Sequence, residues 1–144
     1  MRRPFPFPIA FLLLSLAGSV LTGCDRVNRV RDCRRLSTLV NPALDAIDEQ
    51  TKAKSIKGYR MAANAYSALA GEVRKSQQWP GAGKPLVDEY ASLFDSISPA
   101  MTAYANALEV KQDHSIEEAR RTLDRLSKQQ HSLVARIDSY CQAP

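Results

Sequence analysis

Apolar residues recur every three or four positions along most of the chain beyond residue 27, and no long stretch alternates with the two-residue period of a β-strand. This spacing places the apolar side chains on one face of a helix, so the sequence predicts an all-α protein. The clearest stripe lies near the C-terminus, and Gln130 is the residue that interrupts it. Its members are Ile116, Ala119, Leu123, Leu126, Leu133, Ile137 and Tyr140.

Turn signals divide the periodic region. The strongest is Pro80-Gly81-Ala82-Gly83. The helix after it is predicted to begin at Pro85, a residue type favoured in the first helical turn, and to reach about residue 110. The helix before it carries its stripe from Tyr59 to Val73. The last helix is predicted to start with a capping box made by Ser115 and Glu118, which leaves the preceding residues in a loop.

The residues before the periodic region have a different pattern. Two arginines at positions 2 and 3 precede an apolar run from Ile9 to Leu21, which is shorter than the roughly 20 residues that span a membrane. The run ends in Leu21-Thr22-Gly23-Cys24. This arrangement resembles the lipobox signal peptide of bacterial lipoproteins. An uncleaved signal anchor and a signal peptide without lipidation are the alternatives.

The resemblance covers residues 1–25 and carries specific expectations. It implies that residues 1–23 are removed and that Cys24 becomes the lipid-bearing N-terminus, usually with a further acyl chain on its amino group. Such a protein is held in the bacterial cell envelope and faces the periplasm. In well-studied Gram-negative sorting, an aspartate such as Asp25 directly after the cysteine slightly favours the inner membrane over the outer membrane.

With Cys24 assigned to lipid, Cys33 and Cys141 form an even pair in a compartment that permits disulfides. The pair helps to decide the number of helices. The first segment covers about residues 27–53, and only Gly58 suggests that a turn follows it. With an even number of helices, the start of the first helix and the end of the last helix lie at the same end of the bundle, where the two cysteines can bond. We therefore predict a single domain over residues 27–142, an antiparallel up-down-up-down four-helix bundle closed by this disulfide. The alternative is two free thiols or one reactive thiol.

Whether Asn41-Pro42 and Ser98-Pro99 kink their helices or divide them is left open by the sequence, since proline removes one helical hydrogen bond in either case.

A basic segment, residues 24–35, starts the mature chain and continues into the first helix. Its arginines, beside the acyl chains, can meet anionic lipid headgroups at about 1 kcal/mol each, although a solvated helix face explains them equally well. The whole chain has a formal net charge of +5, and Arg2 and Arg3 leave with the signal peptide. The remaining charge is too small and dispersed to indicate nucleic acid. The arginines are Arg26, Arg29, Arg31, Arg34 and Arg35.

No motif for catalysis, metal or cofactor is found. His114 and Glu117 have a ligand-like spacing, but the chain has no Glu-x-x-His motif, so we expect no metal site and place His114 in a loop. The c-type haem motif is also missing. A non-covalent haem held by His131 with Met61 or Met101 is conceivable, but methionines on helix stripes usually serve packing. We expect neither an enzyme nor a cofactor.

The resulting expectation is a lipid-anchored, non-enzymatic helical module that binds or scaffolds other envelope proteins. The alternative is a carrier of a small ligand or a haem-like cofactor in the bundle interior, where tyrosine hydroxyls would supply polar contacts. The tyrosines on the stripes are Tyr59, Tyr66, Tyr90, Tyr104 and Tyr140, and filling the core is their other role.

Overall fold

The computed structural model describes residues 17–76 and 83–143, with side chains from residue 25 onward. Within these ranges the chain forms four helices and no strand. They are α1 (Ala17–Lys52), α2 (Ile56–Lys75), α3 (Lys84–Val110) and α4 (Asp113–Gln142). Each helix packs against the next, and a disulfide joins the first to the last. The predicted all-α four-helix bundle is therefore confirmed.

The break between α1 and α2 forms without a proline. Lys54 takes the left-handed conformation, with a φ of 48°, and Ser55 then caps α2 by accepting a hydrogen bond from the Gly58 backbone N–H at 3.0 Å. The turn at residues 53–55 therefore lies just before Gly58. Glycine is needed at position 58 because a Cβ there would overlap the backbone oxygen of Gln50, where α1 and α2 meet backbone to backbone.

The start of α4 differs from the prediction. The helix begins at Asp113, and Gln112 at its N-cap makes no side-chain capping hydrogen bond. Ser115 and Glu118 already lie inside the helix, so the predicted capping box was wrong. The reason is the abrupt end of α3, where Lys111 takes the left-handed conformation with a φ of 52°. The connection between α3 and α4 is therefore very short, and α4 begins before Ser115.

Both prolines in question lie inside unbroken helices. Pro42 is within α1 and Pro99 is within α3, and each ring is exposed to solvent. Neither therefore divides its helix. Pro85 lies in the first turn of α3, as predicted.

The core is densest between α2 and α3, which pack together most closely. Small buried residues on α2, such as Ala62 and Ala70, let α3 approach, and Phe94 at the centre has no exposed surface. The rings of Tyr66 and Tyr90 lie 5.8 Å and 4.4 Å from the Phe94 ring. The other two helices, α1 and α4, flank this core on either side.

Candidate functional site

One end of the bundle contains the start of α1 and the end of α4. The backbone of Cys24 lies in α1, while its side chain and residues 1–16 of the expected signal peptide are outside the described part of the chain. Asp25 is exposed at the same end. A lipid on Cys24 would therefore emerge from this end of the bundle.

The disulfide fastens the same end. Cys33 on α1 is bonded to Cys141 on α4, with the two Cα atoms 6.0 Å apart, so the predicted pairing is confirmed. A second contact lies one turn earlier on α1, where Arg29 donates a hydrogen bond to the Ala143 carbonyl at 3.1 Å and lies over the Tyr140 ring at 5.3 Å. Arg29 thus packs against the end of α4.

Four of the five arginines expected at the membrane surface are exposed, namely Arg26, Arg31, Arg34 and Arg35. Two exposed apolar residues lie among them, because Val27 and Val30 keep 67% and 46% of their surface accessible. Asp32 is buried, and its Oδ1 lies 3.7 Å from Nε of Arg31, so it offsets one positive charge. This surface of α1 is therefore basic with small apolar patches.

A groove separates α1 from α4 beyond the disulfide. These two helices approach each other at far fewer points than the other neighbouring pairs. Two cavities of about 410 Å³ each lie between them, and they adjoin each other, since Leu44 and Gln130 line both. On α1 the groove extends from Cys33 to Thr51, which corresponds to about 27 Å of helix.

Two tyrosines from the core line the groove. Tyr90 is 4% exposed, and burial raises its pKa to about 12, although a hydrogen bond with Gln130 acts in the opposite direction. Tyr66 is 9% exposed, and its pKa is raised by burial and by the charge of Asp48. The Tyr66 hydroxyl makes no hydrogen bond to any described residue. The groove therefore contains a hydroxyl that could serve a ligand.

Carboxylates line the half of the groove that is distant from the disulfide. Asp48 comes from α1 and Asp124 from α4. Asp48 is 4.0 Å from Lys52, and Asp124 accepts a hydrogen bond from Arg120 at 3.1 Å. Each of these bases also pairs with a glutamate of its own helix. On α4, Arg121 also pairs with Glu117, so the charges around Asp124 balance. On α1, Asp48 and Glu49 share Lys52, so the excess of negative charge lies on this wall of the groove.

The half next to the disulfide has mixed charge. Arg34 on α1 and Asp138 on α4 line it from opposite walls, and neither forms an ion pair within the described residues. Most of the remaining lining there is apolar and includes Leu36, Val40, Val134 and Ile137. This half is thus close to neutral.

The residues weighed for metal binding lie apart from the groove. His114 is exposed in the first turn of α4 rather than in the expected loop. Glu117 binds Arg120 and Arg121 at 2.9 Å, and these two hydrogen bonds lower its pKa to about 2. Among the described residues, no three His, Cys, Asp or Glu side chains are grouped as metal ligands.

The residues considered for haem are not gathered in one cavity. His131 is exposed on α4 with Nδ1 2.8 Å from the Ser127 carbonyl oxygen, and Met61 on α2 is 44% exposed. Met101 lines the groove, whereas His131 is not among its lining residues. The geometry of the described residues therefore offers these side chains no common site.

In the part of the chain that the structure describes, no helix combines the length and apolar character needed to cross a membrane. Comparisons with protein families, with curated proteins and with solved structures found no match to this chain. The fold and the groove together define a disulfide-closed four-helix bundle with a lateral groove.

The groove is the feature that sequence reasoning missed. Its one signal was Gln130, the polar residue that interrupts the apolar stripe of α4 and lines both halves of the groove. The stripe predicted which face of α4 is buried. It did not indicate that α1 would lie apart from that face.

Proposed function

We propose that this chain is a lipid-anchored lipoprotein of the bacterial cell envelope whose bundle is a non-enzymatic binding module facing the periplasm. The lipobox resemblance of residues 1–25 supports the anchor at Cys24, and Asp25 slightly favours the inner membrane. The observation that carries the binding role is the groove between α1 and α4. Two packed core tyrosines and the walls of two helices form a lined recess there, which is a common feature of binding sites.

The position of the anchor gives the groove an orientation. In this proposal the disulfide end faces the membrane, because α1 continues to Cys24 there. The exposed arginines of α1, with Val27 and Val30, then meet anionic headgroups. The groove starts beside that surface and extends about 27 Å away from it. It is therefore accessible to envelope components that lie near the membrane.

Anchoring is tested by replacing the lipidated residue. Cys24→Ala should abolish incorporation of a fatty-acid label and leave a longer, unprocessed precursor on a gel. The double variant Cys33→Ser/Cys141→Ser is the matched control, because it also removes thiols but should keep the label. Normal labelling of the Cys24→Ala protein would refute the anchor.

Binding is tested by placing a photoreactive amino acid at Asn41, which lines the groove, and at Lys128, which is exposed on α4 and is not among the groove-lining residues. Irradiation of intact envelopes should yield a discrete adduct only at position 41. The mass of the adduct separates a protein partner from a small ligand, and the purified component should then bind the purified protein. The same adducts at both positions would contradict a role for the groove.

The alternative function, a small-ligand carrier, is favoured by one observation. Each half of the groove has about 410 Å³, within the range of about 300 to 1,000 Å³ typical of small-molecule sites. In this alternative the ligand lies in the groove between α1 and α4 rather than in the centre of the bundle. A retained small molecule in native mass spectrometry would support this alternative.

A further inference from the structure

The lining of the groove restricts the ligand that it can hold. The half next to the disulfide has apolar walls from Val40, Val134 and Ile137. Arg34 and Asp138 there have opposite signs, so they offset each other. An alkyl or aryl group would remove this apolar surface from water, which is favourable roughly in proportion to the area buried.

The other half contains a polar group without a partner. Tyr66 is nine-tenths buried, lines this half and makes no hydrogen bond through its hydroxyl to any described residue. The hydroxyl itself borders the groove and is accessible to water in the free protein. A ligand that displaces this water loses a hydrogen bond unless it supplies one in return. The occupant of this half is therefore expected to carry a group that bonds to the hydroxyl.

The charge around Tyr66 selects the sign of that group. Asp48 and Asp124 line this half from opposite walls, and no basic side chain is among its lining residues. Cys33 faces Cys141 and the two helices are antiparallel, so Asp48 and Asp124 lie at similar heights along the groove, offset by less than about one helical turn. A cation between them would be attracted from both walls, and an anion would be repelled.

We propose that the groove binds an elongated amphiphilic amine. Its protonated nitrogen lies between Asp48 and Asp124 and donates a hydrogen bond to the Tyr66 hydroxyl. Its apolar part extends toward the disulfide. This inference rests on the proposed function only in taking the groove as the binding surface, and it does not depend on lipidation of Cys24.

The test uses three probes with the same chain length and different head groups, namely n-octylammonium, n-octanol and n-octanoate. The protein is the oxidised chain starting at Asp25, which keeps every buried core residue of the described part and the disulfide. Calorimetric titration should give binding of octylammonium at least about tenfold tighter than that of octanoate, with octanol between them. Amide shifts in NMR should locate the binding on the groove-lining residues of α1 and α4.

Variants assign the effect to the named residues. Asp48→Asn/Asp124→Asn should weaken octylammonium binding by about tenfold or more, and Tyr66→Phe by about fivefold. The control Asp45→Asn/Asp113→Asn makes the same change in net charge at exposed aspartates outside the lining. It should leave the affinity within about twofold, because these two charges lie outside the groove lining and salt screens their longer-range effect.

Three results would overturn the proposal. They are no binding of octylammonium, equal binding of octanoate, and an equal loss of affinity in the control variant. If octylammonium does not bind while the cross-link at Asn41 identifies a protein partner, the amine ligand is refuted and the binding module stands. Failure of lipid labelling would affect only the anchor.

Discussion

The bond between Cys33 and Cys141 gives the most direct test of how the bundle is held together. It joins α1 to α4, the neighbouring helices that otherwise approach each other least. The two residues are 108 positions apart, so the bond restricts nearly the whole domain in the unfolded state. Replacing both cysteines by serine removes this restriction and changes few packing contacts.

The magnitude follows from the length of the closed loop. In the chain-entropy model a loop of this length lowers the entropy of the unfolded chain by about 16 cal/mol/K, or about 5 kcal/mol at 25 °C. For a domain of about 120 residues, 1 kcal/mol corresponds to about 4 °C in Tm. Measured disulfides often contribute less than this model gives. We therefore expect Tm to fall by about 10 to 20 °C.

The assay compares the chain starting at Asp25 with its Cys33→Ser/Cys141→Ser variant by scanning calorimetry, since no other cysteine is present in either. Hydrogen exchange then shows which helices lose amide protection in the variant. Amides of α1 around Leu36 and Val40 should lose protection first, because their helix has little contact with α4 apart from the bond. Amides of α2 and α3 should keep most of their protection.

Two outcomes would refute this reasoning. A fall in Tm of less than about 3 °C would mean that loop closure does not dominate the effect of the bond. An equal loss of protection in all four helices would mean that α1 is not the helix held by the disulfide.

Gly58→Ala should lower the free energy of unfolding by about 1 to 3 kcal/mol in urea, because its Cβ would overlap the α1 backbone. Gly71→Ala, whose Cβ meets nothing within 4 Å, should raise it by up to about 1 kcal/mol, so equal effects would contradict the close contact. The free energy of unfolding should stay level up to about pH 10 and decline toward pH 12, because Tyr90 in the folded protein keeps the proton that the unfolded chain releases near pH 10. Tyr90→Phe should lessen this decline, and an unchanged slope would refute Tyr90 as the cause. The chain starting at Asp25 should bind anionic vesicles and release them in salt, whereas equal binding to neutral vesicles would exclude the exposed arginines of α1 as the cause.

The helix count could be predicted because two independent patterns agreed. Apolar periodicity predicted the helices, and Cys33 with Cys141 required an even number of them. The local helix ends were less predictable. Lys54 ends α1 in a left-handed conformation that few side chains prefer, and nothing in the neighbouring residues demands it. The Ser115 capping motif was present in the sequence, but the close connection after α3 started α4 earlier.

The candidate site was harder to predict because periodicity reports which face of a helix is buried and gives no distance between helices. Tyr66 and Tyr90 lie on apolar stripes, where the sequence indicates packing as readily as binding. In the structure their rings contact Phe94, and both residues also line the groove. The separation between α1 and α4 depends on many contacts of the whole bundle.

The polar groups of the groove also supply a physical reason for that separation. If α1 closed onto α4, the Tyr66 hydroxyl and the carboxylates of Asp48 and Asp124 would leave water for an apolar contact, which is unfavourable without new partners. Apolar packing of α1 on α4 would have to exceed this cost. The disulfide keeps the helices together at one end, while these polar groups oppose closure along the rest of the groove. A ligand that pairs with these groups gives them partners while the groove stays open. The residues that favour an amine therefore also keep its site open.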